Sequence, residues 1–88
     1  MSKVKDKRYQ TVKMYIDAGA IKSFQDIFDI LPKSILSRDL RLNYSRLVKR
    51  VHNPNLFTLR EIRQMAELIE VDGLVVYRLI DSFFKRKK

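Results

Sequence analysis

The chain has 88 residues, no cysteine and a net charge of +9, and 45% of its residues are hydrophobic. That length makes one small domain, the apolar share argues against disorder, and the lack of Cys excludes disulfides and thiolate metal sites. No apolar run approaches the roughly 18 residues of a membrane span, and the basic start "MSKVKDKRYQ" is not followed by an apolar signal core, so a soluble cytoplasmic protein is expected.

Helical periodicity dominates and strand signals are poor. Residues 8–18 place Tyr9, Val12, Tyr15 and Ile16 on one stripe, with Gly19 where a C-terminal cap stands. In residues 23–31, Ser23 reads as an N-cap with Asp26 three residues on. Phe24, Ile27, Phe28 and Leu31 form the apolar face, and Pro32 stops the helix. A short helix over about 34–41 follows, with Ser34 as cap and Ile35, Leu36 and Leu40 inward. Asn43 caps the next helix, about 44–52, which "NPN" at 53–55 ends. Thr58 and Glu61 form a T-x-x-E capping box that opens a helix to about Glu70, with Leu59, Ile62, Met65, Ala66 and Ile69 inward. Asp72 caps a last helix, about 73–85, with Val76, Leu79, Ile80 and Phe83 on one stripe, and "KRKK" reads as a frayed tail. The expectation is all-α: a compact bundle of about five to six short helices. Residues 1–22 read as a basic N-terminal helix or arm, 23–84 as the domain and 85–88 as a basic tail.

The positive charge is unevenly placed. Residues 33–63 carry eight bases and two acids, and the last four residues are all basic, whereas 64–84 are net acidic. A basic block on a small domain is a footprint for phosphate-rich partners. A solubilising surface or an anionic membrane surface are the alternatives. Within the block, "RLNYSRLVKRV" (41–51) plotted at about 100° per residue puts Leu47, Val48 and Val51 in one arc. Tyr44 lies near the centre of that arc. Ser45, Arg46, Lys49 and Arg50 fill the opposite arc, which contains no acid. Arg46 and Arg50, four apart, repel each other by a few tenths of a kcal/mol, a cost that an external anion would offset.

Two short helices joined by a tight turn in an all-helical basic domain suggest a helix-turn-helix. The stretch 32–72 resembles the Cro/phage-repressor-type (XRE-type, lambda-repressor-like) family. "MAELIEVD" matches the family's Leu-Ala-x-x-Leu-x-Val ending, with Ala66, Ile69 and Val71 at buried positions, and "NPN" matches its Pro-containing loop. Three positions depart from the pattern. Ser37 stands where Ala is usual, Arg41 where the turn usually has Gly, and the second apolar residue of the recognition helix follows Leu47 by four rather than three. An Arg at a left-handed position is disfavoured, so a differently shaped turn is expected.

The resemblance implies sequence-specific binding of double-stranded DNA by a small transcriptional regulator, repressor-like, with helix 44–52 in the major groove. It implies base contacts from Tyr44, Ser45, Arg46 and Lys49 and phosphate contacts from Lys33, Arg50, Thr58 and Arg60. Tyr44 has a second reading as a core residue with a wet hydroxyl. Arg60 and Arg63 have one as partners of Glu67, and Asn43 and Thr58 are caps in any case. Leu74, Val75, Tyr77 and Phe84 exceed what one core stripe uses and suggest either a wider core contact with the N-terminal helix or a homodimer surface. The alternatives are a protein-interaction module on the same scaffold and a non-specific nucleic-acid binder. His52, the only histidine, has no acidic neighbour and no glycine-rich phosphate loop exists, so neither an enzyme nor a cofactor or small-molecule site is expected. A DNA-binding role would make the protein nucleoid-associated.

Overall fold

The computed structural model describes residues 5–85, with side chains through residue 82. Five α-helices and two 3₁₀ helices make up the described chain, with no strand among them: α1 (Arg8–Asp17), a 3₁₀ helix (Phe24–Asp29), α2 (Lys33–Leu40), α3 (Tyr44–His52), a second 3₁₀ helix (Pro54–Leu56), α4 (Leu59–Ile69) and α5 (Gly73–Lys85). The all-α expectation holds. One core runs through all of them, from Tyr9 and Val12 in α1 to Val76 and Ile80 in α5. The radius of gyration, 12.3 Å, is close to the ~12 Å of a compact domain this long.

Helix α1 belongs to this core and is not a detached basic arm. Tyr9 and Val12 are fully buried, α1 packs on α4, and the Tyr9 hydroxyl donates to Asp39 Oδ2 in α2 at 2.7 Å. The start of the described chain is also tied down. Lys5 Nζ donates to Leu68 O and to Glu70, and that ammonium lowers the Glu70 carboxyl pKa. Arg8 pairs with Asp6 through two nitrogens and holds its carboxyl well below the usual range. Tyr15, expected inward, is exposed because it lies on the border of the apolar arc. Gly19 ends α1 as expected, at φ 75°. The Gly19 N–H donates to Ile16 O and the Ala20 N–H to Tyr15 O, a Schellman pair.

Residues 24–29 form a 3₁₀ helix where a longer helix was expected. The Asp26 carboxylate accepts from the Lys22 and Ser23 N–H groups, and Pro32 follows closely, so only a short, tight coil fits. Its side chains are buried as expected, and Phe24 stacks edge-on against Phe28 and against Phe57 from the α3–α4 connection, at 5.5 and 5.3 Å.

The expected cap of α2 was Ser34. The helix instead starts at Lys33 after Pro32, whose extended conformation (ψ 142°) turns its carbonyl toward the Ile35 N–H. Ser37 is buried and spends its hydroxyl on Ser34 O at 3.0 Å. Asn43 and Thr58 cap α3 and α4 as read. Leu59, expected inward, is 67% exposed. It sits in the first turn of α4, at the edge of the stripe formed by Ile62, Met65, Ala66 and Ile69. Helix α4 ends at Glu70 in the left-handed conformation, and Asp72 accepts from the Leu74 N–H to start α5.

Helix α5 packs on α4 through Val76 and Ile80, with Leu79 partly buried. Of the residues read as a dimer surface, Leu74 and Tyr77 are exposed and Val75 is partly buried. Phe83 and Phe84 lie outside the described side chains. No helix among the described residues is long and apolar enough to cross a membrane.

Candidate nucleic-acid interface

Helix α3 owes its orientation to four attachments. Leu47 and Val51 are 0% and 3% exposed and hold its inner face, packed chiefly on α2. At its N-terminus the Asn43 Oδ1 accepts from the Arg46 N–H and the Ser45 hydroxyl, both at 3.0 Å. At its C-terminal end Gln25 Nε2 donates to Val51 O at 2.8 Å. Arg50 Nε donates to Glu61 Oε1 in α4 at 3.0 Å. The four-residue spacing from Leu47 to Val51 thus places both residues in the core, so the inner face is complete.

The turn before α3 keeps a left-handed residue although no glycine is present. Arg41 itself takes φ 58°, ψ 37°. Its N–H donates to Arg38 O and the Leu42 N–H to Ser37 O, the same pair of bonds that closes α1 at Gly19. Arg41 thus adopts the left-handed conformation that its Cβ disfavours. The backbone bonds that close the turn outweigh the ~1–2 kcal/mol that a left-handed conformation costs a residue with a Cβ.

The outer face of α3 is what these attachments leave free. Tyr44, Ser45, Arg46 and Lys49 are all exposed, and among the described residues no carboxylate lies within ion-pair distance of Arg46 or Lys49. Tyr44 is 54% exposed, so its ring is only half covered and its hydroxyl is accessible in the first turn. Ser45 has its proton committed to Asn43 and presents lone pairs outward.

Arg50 departs from the expectation. It was read on the free cationic arc, yet its side chain is only 19% exposed and is paired with Glu61, itself 13% exposed. At about 100° per residue, Arg50 stands about 90° from the buried direction, whereas Lys49 and Arg46 stand farther out. A long side chain on that border turns inward when an acid is there to meet it. The acid belongs to α4, so helix periodicity within α3 could not reveal it.

The remaining cations flank this face in sequence. Lys33, the first residue of α2, holds its ammonium 5.4 Å from the Phe28 ring centroid. A cation at a helix N-terminus opposes the macrodipole, and the aromatic face offsets part of that cost. Thr58 accepts from the Glu61 N–H at 3.1 Å, as a cap should. Arg60 and Arg63 are exposed and neither makes the ion pair with Glu67 that their spacing allowed. Arg41 is exposed at the turn and joins the candidate cations. Sequence reading treated Arg41 only as a departure at a Gly position and passed over Gln25, since neither carries a periodic signal. Among the described residues no group of three or more His, Cys, Asp or Glu is placed to hold a metal ion.

No family model, no curated protein and no solved structure matches this chain.

Proposed function

We propose that the chain binds double-stranded DNA sequence-specifically as a small, repressor-like transcriptional regulator, with α2 and α3 as a helix-turn-helix and α3 in the major groove. The observation that carries this reading is the outer face of α3. It offers a hydroxyl, a guanidinium and an ammonium with no acid among them, on a helix whose inner face is buried and whose C-terminal half is tied to Gln25 and Glu61, while the Tyr44 phenol is exposed at its first turn. A duplex major groove admits one helix, and its base edges are read by groups of this kind. In this reading Tyr44, Ser45, Arg46 and Lys49 face base edges. Lys33, Arg41, Thr58 and Arg60 hold phosphates, which adds affinity without sequence information. Arg50 leaves the phosphate set because Glu61 occupies it. A second copy, joined through α5, would present a second α3 to a half-site about one helical turn, ~34 Å, away.

The test is a gel shift at two salt concentrations with a random duplex and with duplexes selected from a random pool. Tight binding of the selected duplex, weaker binding of the random one, and a slope of log affinity against log salt near −5 for about six phosphates support the reading. Equal affinity for both duplexes leaves only non-specific binding. Absence of a shift at low salt overturns the nucleic-acid reading and leaves an acidic protein as the partner for the same face.

A further inference from the structure

Glu61 occupies a junction that neither capping nor packing requires. Its Oε1 accepts from the Thr58 N–H, which closes the capping box of α4, and from Arg50 Nε in α3, each at 3.0 Å. Arg50 projects from the same helix as Arg46 and Lys49, one turn beyond Arg46. Without an acid beside it, it would be a third cation on the outer face. A mostly buried guanidinium fixed by a charge-assisted bond also resists rolling of α3 about its axis.

We propose that Glu61 is a positioning residue for DNA recognition: it draws Arg50 off the phosphates and fixes the roll of α3, so that Arg46 and Lys49 meet base edges in one register. This inference rests on the DNA-binding reading above. It gives Glu61 a role in specificity and Arg50 one that is structural.

The argument turns on charge and geometry together. A free cation beside a duplex raises affinity for every sequence alike, because it displaces counterions without reading bases. Holding Arg50 in a bridge withholds that indiscriminate contribution. Base readout needs donors placed within hydrogen-bond tolerance of base edges, and a helix free to roll spreads its donors over several registers. Leu47 and Val51 set the roll of α3 from its inner face, and Gln25 on Val51 O holds the end of the helix. The Arg50–Glu61 bridge adds a directional anchor on the side of the helix, which narrows the rotation that apolar packing alone still allows.

Two variants of the full chain test this. In Glu61→Gln the amide oxygen still accepts from the Thr58 N–H, so the cap is kept; the same oxygen can still meet Arg50 Nε, but only as a neutral acceptor, about half as strong as the charge-assisted bond that holds the guanidinium from phosphate. Arg50→Met keeps the length and apolar stem and removes the cation. Each is titrated with the selected and the random duplex over a salt series, with a thermal melt to establish that the fold is retained. For Glu61→Gln the expected result is tighter binding of the random duplex and a salt slope steeper by about 0.9, the share of one added phosphate contact. The selected-to-random affinity ratio should drop about fivefold or more, the share of one base contact. For Arg50→Met the slope should stay that of the native protein while the ratio drops similarly. An Arg50→Met slope shallower by about 0.9 with an unchanged ratio would show Arg50 to be an ordinary phosphate contact and overturn the inference. An unchanged ratio and slope in Glu61→Gln would overturn it too. Those failures occur with the native protein bound to DNA, whereas a native protein that binds no duplex sinks the DNA-binding reading itself and this inference with it. Should Arg50→Met not fold, Glu61→Gln alone still decides, because its cap is intact.

Discussion

Single residues carry two stability features that are open to measurement. The buried Tyr9 phenol donates to Asp39 while Arg38 Nε donates to that carboxylate's other oxygen. Burial first, and the bond to Asp39 second, push the Tyr9 pKa well above its ordinary 10.0. Folding therefore favours the neutral phenol. The stabilisation is fully present below about pH 10 and is lost as the pH climbs past that value, because the unfolded chain then releases a proton that the folded chain retains. Tyr9→Phe should cost about 2 kcal/mol at neutral pH, a typical figure for a bond to a charged acceptor. It should also flatten the decline in stability above pH 10 in urea titrations; an equal decline in both proteins would place the alkaline sensitivity elsewhere. Arg41 is the second feature. Its left-handed conformation strains a residue with a Cβ, so Arg41→Gly should raise stability by about 1 kcal/mol, read as a higher melting temperature. The same change should weaken DNA of every sequence alike if Arg41 holds a phosphate.

At the scale of elements, the proposed DNA-binding function divides the work between α2, as grip, and α3, as readout. Lys33 stands at the start of α2 against Phe28, and Lys49 is on the outermost line of α3. Lys49→Ala should reduce discrimination between selected and random duplexes, by about 1–3 kcal/mol if it makes a good base contact. Lys33→Ala should weaken both duplexes equally and make the salt slope shallower by about 0.9. Parallel losses on both duplexes from both variants would contradict this division. The sequence displayed these helices well. The caps at Asn43, Thr58 and Asp72 and the apolar spacing of α3, α4 and α5 are local signals, and local hydrogen bonds realise them. The 3₁₀ helix at 24–29 was legible as an apolar face but not in its winding. The side-chain pattern of a six-residue segment fits either coil, and the Asp26 bonds to Lys22 and Ser23 fix only where it starts.

The whole molecule raises the question of assembly. Leu74 and Tyr77, 58% and 52% exposed, stand one turn apart on α5. Tyr77 also lines an open groove of about 360 Å³ with Pro54, Asn55, Phe57, Ile62, Ile80 and Asp81. That mixed surface runs from α5 to the connection between α3 and α4. Leu74→Asp should convert a concentration-dependent dimer into a monomer in sedimentation equilibrium, with little loss in melting temperature, because Leu74 is outside the core. A native protein that stays monomeric at all concentrations would remove the dimer. At this scale α1 also finds its place. Residues 1–22 read as a basic helix or arm, and burial of Tyr9 and Val12 and the bond to Asp39 join α1 to the core.

What the sequence determined on its own was whatever depends on neighbours within one or two helical turns: the all-α class, the helix ends at Gly19, Asn43 and Thr58, and most of the inward stripes. Tertiary structure decided what depends on residues far apart in the chain. It took Arg50 from the cationic face by bringing Glu61 to it, left Leu59 mostly exposed and Tyr44 half exposed, and held the turn at Arg41 left-handed without a glycine. The physical reason is common to these cases. Periodicity gives the direction in which a side chain leaves its own helix, but a residue on the border between core and solvent takes its side from the charge, or the packing surface, that another element brings to it.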